Sequence, residues 1–173
     1  MPRVFLSLGS NLGDRRRYLE DALRELAAEA AVRVVACSQV YETEPWPEVG
    51  VARERWYLNC AVEIETDLPP RRLLRLAQTI EALAGRIREP GPPGHDAPQY
   101  APRTLDIDIL LYEDRVISEQ NLQIPHPFLH ERRFVLAPLA DIAPEVEHPV
   151  LYQSIREILS SLRDERGIFP YPA

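Results

Sequence analysis

The run "PRTLDIDILLY", residues 102–112, places two carboxylates two positions apart inside an otherwise apolar stretch. On a β-strand successive side chains point to opposite faces, so Asp106 and Asp108 share a face with Leu110, while Leu105, Ile107, Ile109 and Leu111 share the other. The two Cα atoms then lie ~7 Å apart, a spacing at which acidic side chains converge on a pair of cations roughly 3.5–4 Å apart. A solvated outer face of an antiparallel sheet carries the same pattern, and the D-x-D alone does not choose between them. Arginine supplies the next signal. Arg86, Arg88, Arg103, Arg132 and Arg133 flank the acidic pair in the chain, and carboxylates beside guanidinium groups suit phosphate plus divalent metal, because phosphoryl transfer is catalysed mainly by positioning and charge neutralisation. Each arginine taken singly also fits a solvated surface charge. His126, set between prolines in "IPHPF", can donate to a phosphate, ligate a metal or pack. Tyr57 and Phe134 can clamp a flat heterocycle or belong to the core.

These residues need a scaffold, and the periodicities predict one. Arg3–Leu8 reads as a strand, the turn through Asn11, Gly13 and Asp14 as capping chemistry, and Arg15–Ala30 as an amphipathic helix with Leu19, Ala22, Leu23 and Leu26 on its apolar side. Val32–Tyr41 is a β-branched strand, followed by the proline-broken loop "ETEPWPEVG". Trp56–Glu65 alternates, with Leu58, Cys60, Val62 and Ile64 facing one way and Tyr57, Asn59 and Ala61 the other. Asp67, Pro69 and Pro70 start a second helix that ends at Gly85. The Pro/Gly-rich stretch Glu89–Pro102 is expected to be a mobile loop. The order β-α-β-β-α-β predicts an α+β fold, a ferredoxin-like antiparallel sheet with helices on one face and the active site on the other. Beyond Glu113 a short helical region near Phe128–Arg132 and an amphipathic helix near Tyr152–Arg163 form a C-terminal extension.

Composition narrows the function classes. A length of 173 residues suits a single domain, 1–173. All 20 basic residues are Arg, which excludes Schiff-base lysine chemistry and the P-loop lysine, and "LGSNLGD" lacks the G-K-[ST] ending of that motif. A net charge of -7 argues against a nucleic-acid partner and for small-molecule ligands. No apolar run nears the ~20 residues of a membrane span, and the N-terminal stretch lacks the features of a secretory signal, so a cytoplasmic location is expected with Cys37 and Cys60 as thiols. A monomer is expected, with oligomers left open.

The stretches "LSLGSNLGD", "YETEP", "YLNCAV", "PRTLDIDILLY" and "IPHPFLHERRFVLAPL", in this order, resemble from end to end the hydroxymethyldihydropterin pyrophosphokinase family of folate biosynthesis. The resemblance implies an ATP-dependent transferase that moves pyrophosphate from ATP to 6-hydroxymethyl-7,8-dihydropterin, releasing AMP. It implies two Mg ions on Asp106 and Asp108, and phosphate clamping by Arg86 and Arg103. For the pterin it implies stacking on Tyr57 and Phe134, with Asn59 and the Thr43, Pro45 and Trp46 loop as hydrogen-bonding partners. For ATP it implies Gln78, Glu81, Arg86, Arg88, Tyr100, Arg103, Ile109, His126 and Arg132. Two departures stand out: the segment between Arg88 and Arg103 is longer and richer in proline than in many members, and Tyr100 stands where some carry tryptophan. Two other readings compete, a non-catalytic ferredoxin-like module that senses a nucleotide or metal, and a two-metal phosphohydrolase. The hydrolase needs a base for its water, and no carboxylate in the sequence is set aside for one.

Overall fold

Val4, Phe5, Leu6, Ser7 and Leu8 are all buried along the first strand, β1 (Arg3–Ser10), so both of its faces are covered and it runs through the middle of the molecule. The structure, a computed structural model, describes residues 1–86 and 102–172. After β1 come α1 (Arg15–Ala28), β2 (Val32–Cys37), β3 (Tyr41–Thr43), β4 (Tyr57–Thr66) and α2 (Pro70–Leu83). The remainder comprises β5 (Asp106–Tyr112), β6 (Ile117–Glu119), β7 (Leu122–Ile124), α3 (Arg133–Ile142), α4 (Ile155–Ser161) and β8 (Ile168–Pro170). The main sheet runs β5-β1-β4-β3-β8, and β2 also pairs with β4; all of these pairings are antiparallel.

Local chemistry explains the elements. Asp14 caps α1, its carboxylate accepting the Arg17 N–H at 3.1 Å, and Pro70 opens α2 at a position where its missing N–H costs nothing. Leu19, Ala22 and Leu26 of α1, with Leu73, Ala77 and Ile80 of α2, cover one sheet face over Leu6, Leu8, Leu58, Val62 and Ile64. Each fully buried leucine there contributes about 2 kcal/mol of transfer free energy. Val135, Leu136 and Leu139 of α3, with Ile155 and Ile158 of α4, cover part of the other face over Phe5, Ala61, Leu110 and Leu111.

Several expectations need correction. The second sheet face is not left to the active site alone, because α3 and α4 share it. The helical region expected near Phe128–Arg132 is a single 3-10 turn at Leu129–Glu131, and the helix proper follows it. The strand expected over Val32–Tyr41 divides into β2 and β3, with an irregular register between Val34 and Ala36. Leu111 lies on the α3 face rather than with Ile107 and Ile109. The reason is a bulge: Phe5 pairs with Leu111 but Leu6 pairs with Ile109, so Leu110 is an extra residue and the alternation changes parity. The hairpin β6-β7 and the strand β8, three residues each, carry too few residues for a periodicity to reveal.

Candidate active site

The registers of three neighbouring strands bring distant residues to one spot. Gly9 of β1 pairs with Asn59 of β4 on one side and with Asp106 of β5 on the other, and Ser7 pairs with Ala61 and Asp108. Strand parity then turns Ser7, Gly9, Tyr57, Asn59, Asp106 and Asp108 to the same face, at the end that α3 leaves open. They line one cleft of about 710 Å³, open mouth included. Its remaining walls come from Thr43, Glu44, Pro45 and Trp46, from Arg103, from His126, and from Arg132 and Phe134 at the start of α3.

One half of the cleft is charged. Asp106 accepts from Arg86 at 2.5 Å on one oxygen and from Arg103 at 2.6 Å on the other. Burial raises the Asp106 pKa, but the two guanidinium groups outweigh it and hold the carboxyl below its usual range. Asp108 is raised to about 7, by burial first and by the Asp106 charge second. The pair therefore repels itself until positive charge arrives between its members. His126 accepts the Phe128 N–H on Nδ1 at 3.2 Å and sets Nε2 3.8 Å from Asp108. Burial and then Arg132 lower its pKa to about 4. At neutral pH the ring is uncharged, and the Nδ1 bond leaves its proton on Nε2, directed into the cleft. The Leu110 bulge contributes here too, since its carbonyl accepts the His126 N–H at 2.9 Å.

Two residues outside the cleft hold this half together. Glu81 is 1% exposed and accepts from Ile107 N at 2.8 Å and from Arg86 at 2.5 Å. Glu81→Ala would leave a half-enclosed guanidinium and a buried strand amide short of a partner, so unfolding free energy should fall by about 3 kcal/mol in urea denaturation. A loss below about 1 kcal/mol would mean that Arg86 and Ile107 find other acceptors. Asn11 exchanges two bonds with Arg103: its side-chain oxygen accepts the Arg103 N–H at 2.8 Å and its own N–H meets the Arg103 carbonyl at 3.1 Å. Arg103 is thereby aimed from its backbone.

The other half is aromatic and amide-lined. Asn59, 3% exposed, donates to the Thr43 hydroxyl at 2.6 Å, which fixes its amide at the cleft wall. Tyr57 and Phe134 both face this half. The Arg132 guanidinium stands 4.7 Å from the Trp46 ring, 5.1 Å from Phe128 and 5.7 Å from Phe134, joining the Trp46 loop to α3 through cation–π contacts. A second groove opens beyond Asp108 and His126, lined by Leu74, Ile107, Ile109, Asn121, Leu122 and Gln123.

The structure thus gathers Thr43, Pro45, Trp46, Tyr57, Asn59, Phe134, Arg103, Asp106, Asp108, His126 and Arg132 in one cleft, with Ile109 in the adjoining groove. Arg86 joins them through Asp106. Gln78 is half-buried on α2, one turn beyond Leu74. Arg88, Tyr100 and nearly all of the loop expected to be mobile lie outside the described residues. Sequence reasoning missed Ser7, Gly9 and the role of Asn11. Asn11, Gly13 and Asp14 were read together as helix capping; Asp14 does cap α1, but Asn11 is engaged with Arg103.

The donor set fits hard divalent cations. Two carboxylates share a face and neutral His126 is adjacent, while no group of three His, Cys, Asp or Glu side chains gathers in ligating geometry among the described residues. Metal held here would complete its shell with phosphate oxygens and water, as Mg commonly does.

A family model described as 7,8-dihydro-6-hydroxymethylpterin-pyrophosphokinase (HPPK) matches residues 5–144. A Methylorubrum extorquens protein named 2-amino-4-hydroxy-6-hydroxymethyldihydropteridine pyrophosphokinase is 44% identical over 168 residues, covering 97% of this chain and 98% of its own. A Bacillus subtilis protein of the same name is 43% identical over 165 residues, 95% of this chain and 87% of its own. Among solved structures, a Plasmodium falciparum HPPK-DHPS chain superposes with a TM-score of 0.69 at 19% identity, over 92% of this chain. This chain spans 43% of that longer one, and the likeness is one of fold. Sequence and fold point the same way, and the chain belongs to the 7,8-dihydro-6-hydroxymethylpterin-pyrophosphokinase family.

Proposed function

We propose that the chain transfers the pyrophosphoryl group of ATP to the hydroxymethyl oxygen of 6-hydroxymethyl-7,8-dihydropterin, giving AMP and the pterin diphosphate. The observation that carries this is the two-part cleft, in which an aromatic and amide pocket for a flat polar heterocycle opens directly onto a carboxylate pair flanked by arginines. Tyr57 and Phe134 stack on the pterin, and Asn59 with the Thr43–Trp46 backbone reads its edge. Arg86, Arg103, Arg132 and the Nε2–H of His126 meet phosphate oxygens, with Ile109 and the second groove holding the rest of the nucleotide. Gln78 and Glu81 support that side from α2. The strand order supports a ferredoxin-like arrangement of the central sheet, and free thiols at Cys37 and Cys60 suit a cytoplasmic enzyme.

In the reaction the pterin hydroxyl oxygen bonds to the β-phosphorus as the bond from that phosphorus to the α-phosphate oxygen breaks, and the hydroxyl proton leaves to solvent or phosphate. Asp106 and Asp108 would hold two Mg ions, which would neutralise negative charge on the ATP phosphates. The protein's own groups position and neutralise. No general base is needed from Glu44, which accepts backbone N–H groups of Gly167, Gly50 and Val51 and is held below the usual carboxylate range by them. Neutral His126 carries its proton toward the cleft and acts as a donor.

The test is AMP formation from ATP and magnesium with and without the pterin. AMP that appears only with pterin supports the transferase. ADP or free phosphate without pterin would point to a hydrolase, and ATP binding without turnover to a sensing module.

A further inference from the structure

The loop that carries Pro45 and Trp46 into the cleft is exposed from Pro47 to Gly50, and its inward pose is set from the far end of the chain. Arg166 donates from Nη2 to the Pro47 carbonyl at 2.7 Å and from Nε to the Glu48 carbonyl at 3.0 Å. Asp164, whose side chain is 4% exposed, holds the same guanidinium at 2.8 Å. Glu44 closes the arrangement: its N–H meets the Gly167 carbonyl at 2.9 Å, one carboxylate oxygen accepts the Gly167 N–H at 3.1 Å, and the other accepts Gly50 N at 2.5 Å. Gly167 lies so close to Trp56 that a Cβ there would come within 2.4 Å of the ring, so the segment is packed as well as bonded.

Resting on the pterin reading above, we infer that Arg166 and Glu44 are positioning residues for the pterin: they tie the Trp46 loop to the Asp164–Gly167 segment and so set substrate affinity and selectivity on that side. Neither acts on the ATP side, where His126 and the Asp106 cluster lie on other elements. Two charge-assisted bonds to loop carbonyls are lost in Arg166→Ala, and the loop must then be ordered by the pterin itself.

Arg166→Ala should raise the pterin KM about tenfold, with kcat and the ATP KM within about twofold of the native chain. Arg166→Lys, which keeps the charge and one donor, should recover part of the affinity. Glu44→Ala should raise the pterin KM as well, and the double variant should be less than multiplicative because both act through one strap. An unchanged pterin KM, an equal rise for ATP, or a fall in kcat with KM unmoved would overturn the inference, since a merely structural role lowers the active fraction without separating the substrates. The native chain in the same assay keeps the two claims apart. If it makes no pterin-dependent AMP the pterin reading fails, and if it does while Arg166→Ala leaves the KM in place only the strap fails.

Discussion

Asp106→Ala and Asp108→Asn are each expected to reduce pterin-dependent AMP formation roughly a thousandfold, while the two changes move stability in opposite directions. Asp106 joins Arg86 and Arg103, so its removal leaves two half-enclosed cations facing each other across the vacated site. Asp108 is different, because its ionised form is opposed by burial and by Asp106. A folded pKa of about 7 exceeds the unfolded value near 4, so the contribution of this group to stability is intact below about pH 4 and is lost as pH rises through about 7. In EDTA, Asp108→Asn should therefore melt above the native chain at pH 8, with the gap narrowing steadily toward pH 4. A gap that does not change with pH would mean that Asp108 is not under strain from its neighbours. Rising stability with vanishing activity is the expected mark of a group retained for function.

The carboxylate pair was legible because a period of two is a local property: the face shared by Asp106 and Asp108 follows from strand geometry alone. Arg103 was legible through its closeness in sequence, three residues upstream of Asp106. What the sequence hid depends on long-range register. Nothing in "LSLGSN" announces that Gly9 will lie between Asn59 and Asp106, because that follows from pairing β1 with strands some 50 and 100 residues away. The bulge at Leu110 is equally silent, since an unbroken apolar run "DILLY" looks the same with or without an inserted residue. Leu111 was assigned to the wrong face for that reason. Glu81 reads in sequence as one more polar position on an amphipathic helix, and only its burial beneath Arg86 and Ile107 shows it to be an anchor. The Arg166 tether lies more than a hundred residues from the loop it holds, in a segment whose short strand gives no periodic signal.

Gly9→Ala is expected to raise the pterin KM about a hundredfold while the ATP KM stays within about threefold. The argument is steric and local to one wall. A Cβ on Gly9 would sit 2.5 Å from Asn59 Oδ1 and 3.7 Å from the Tyr57 ring, so the Asn59 amide has to move. Asn59 has little freedom to do so, being 3% exposed and bonded to the Thr43 hydroxyl at 2.6 Å. Displacing it costs the Thr43 bond and pushes the amide into space meant for the heterocycle, whereas the arginines on the phosphate side remain in place. A general loss of packing would instead lower stability and both affinities together. The double variant Gly9→Ala/Asn59→Ala separates these cases, because with the amide gone the added methyl has room. If the clash with Asn59 is the cause, the double variant should bind pterin no worse than Asn59→Ala alone. If the two defects multiply, Gly9 serves the site in some way other than by making room for Asn59.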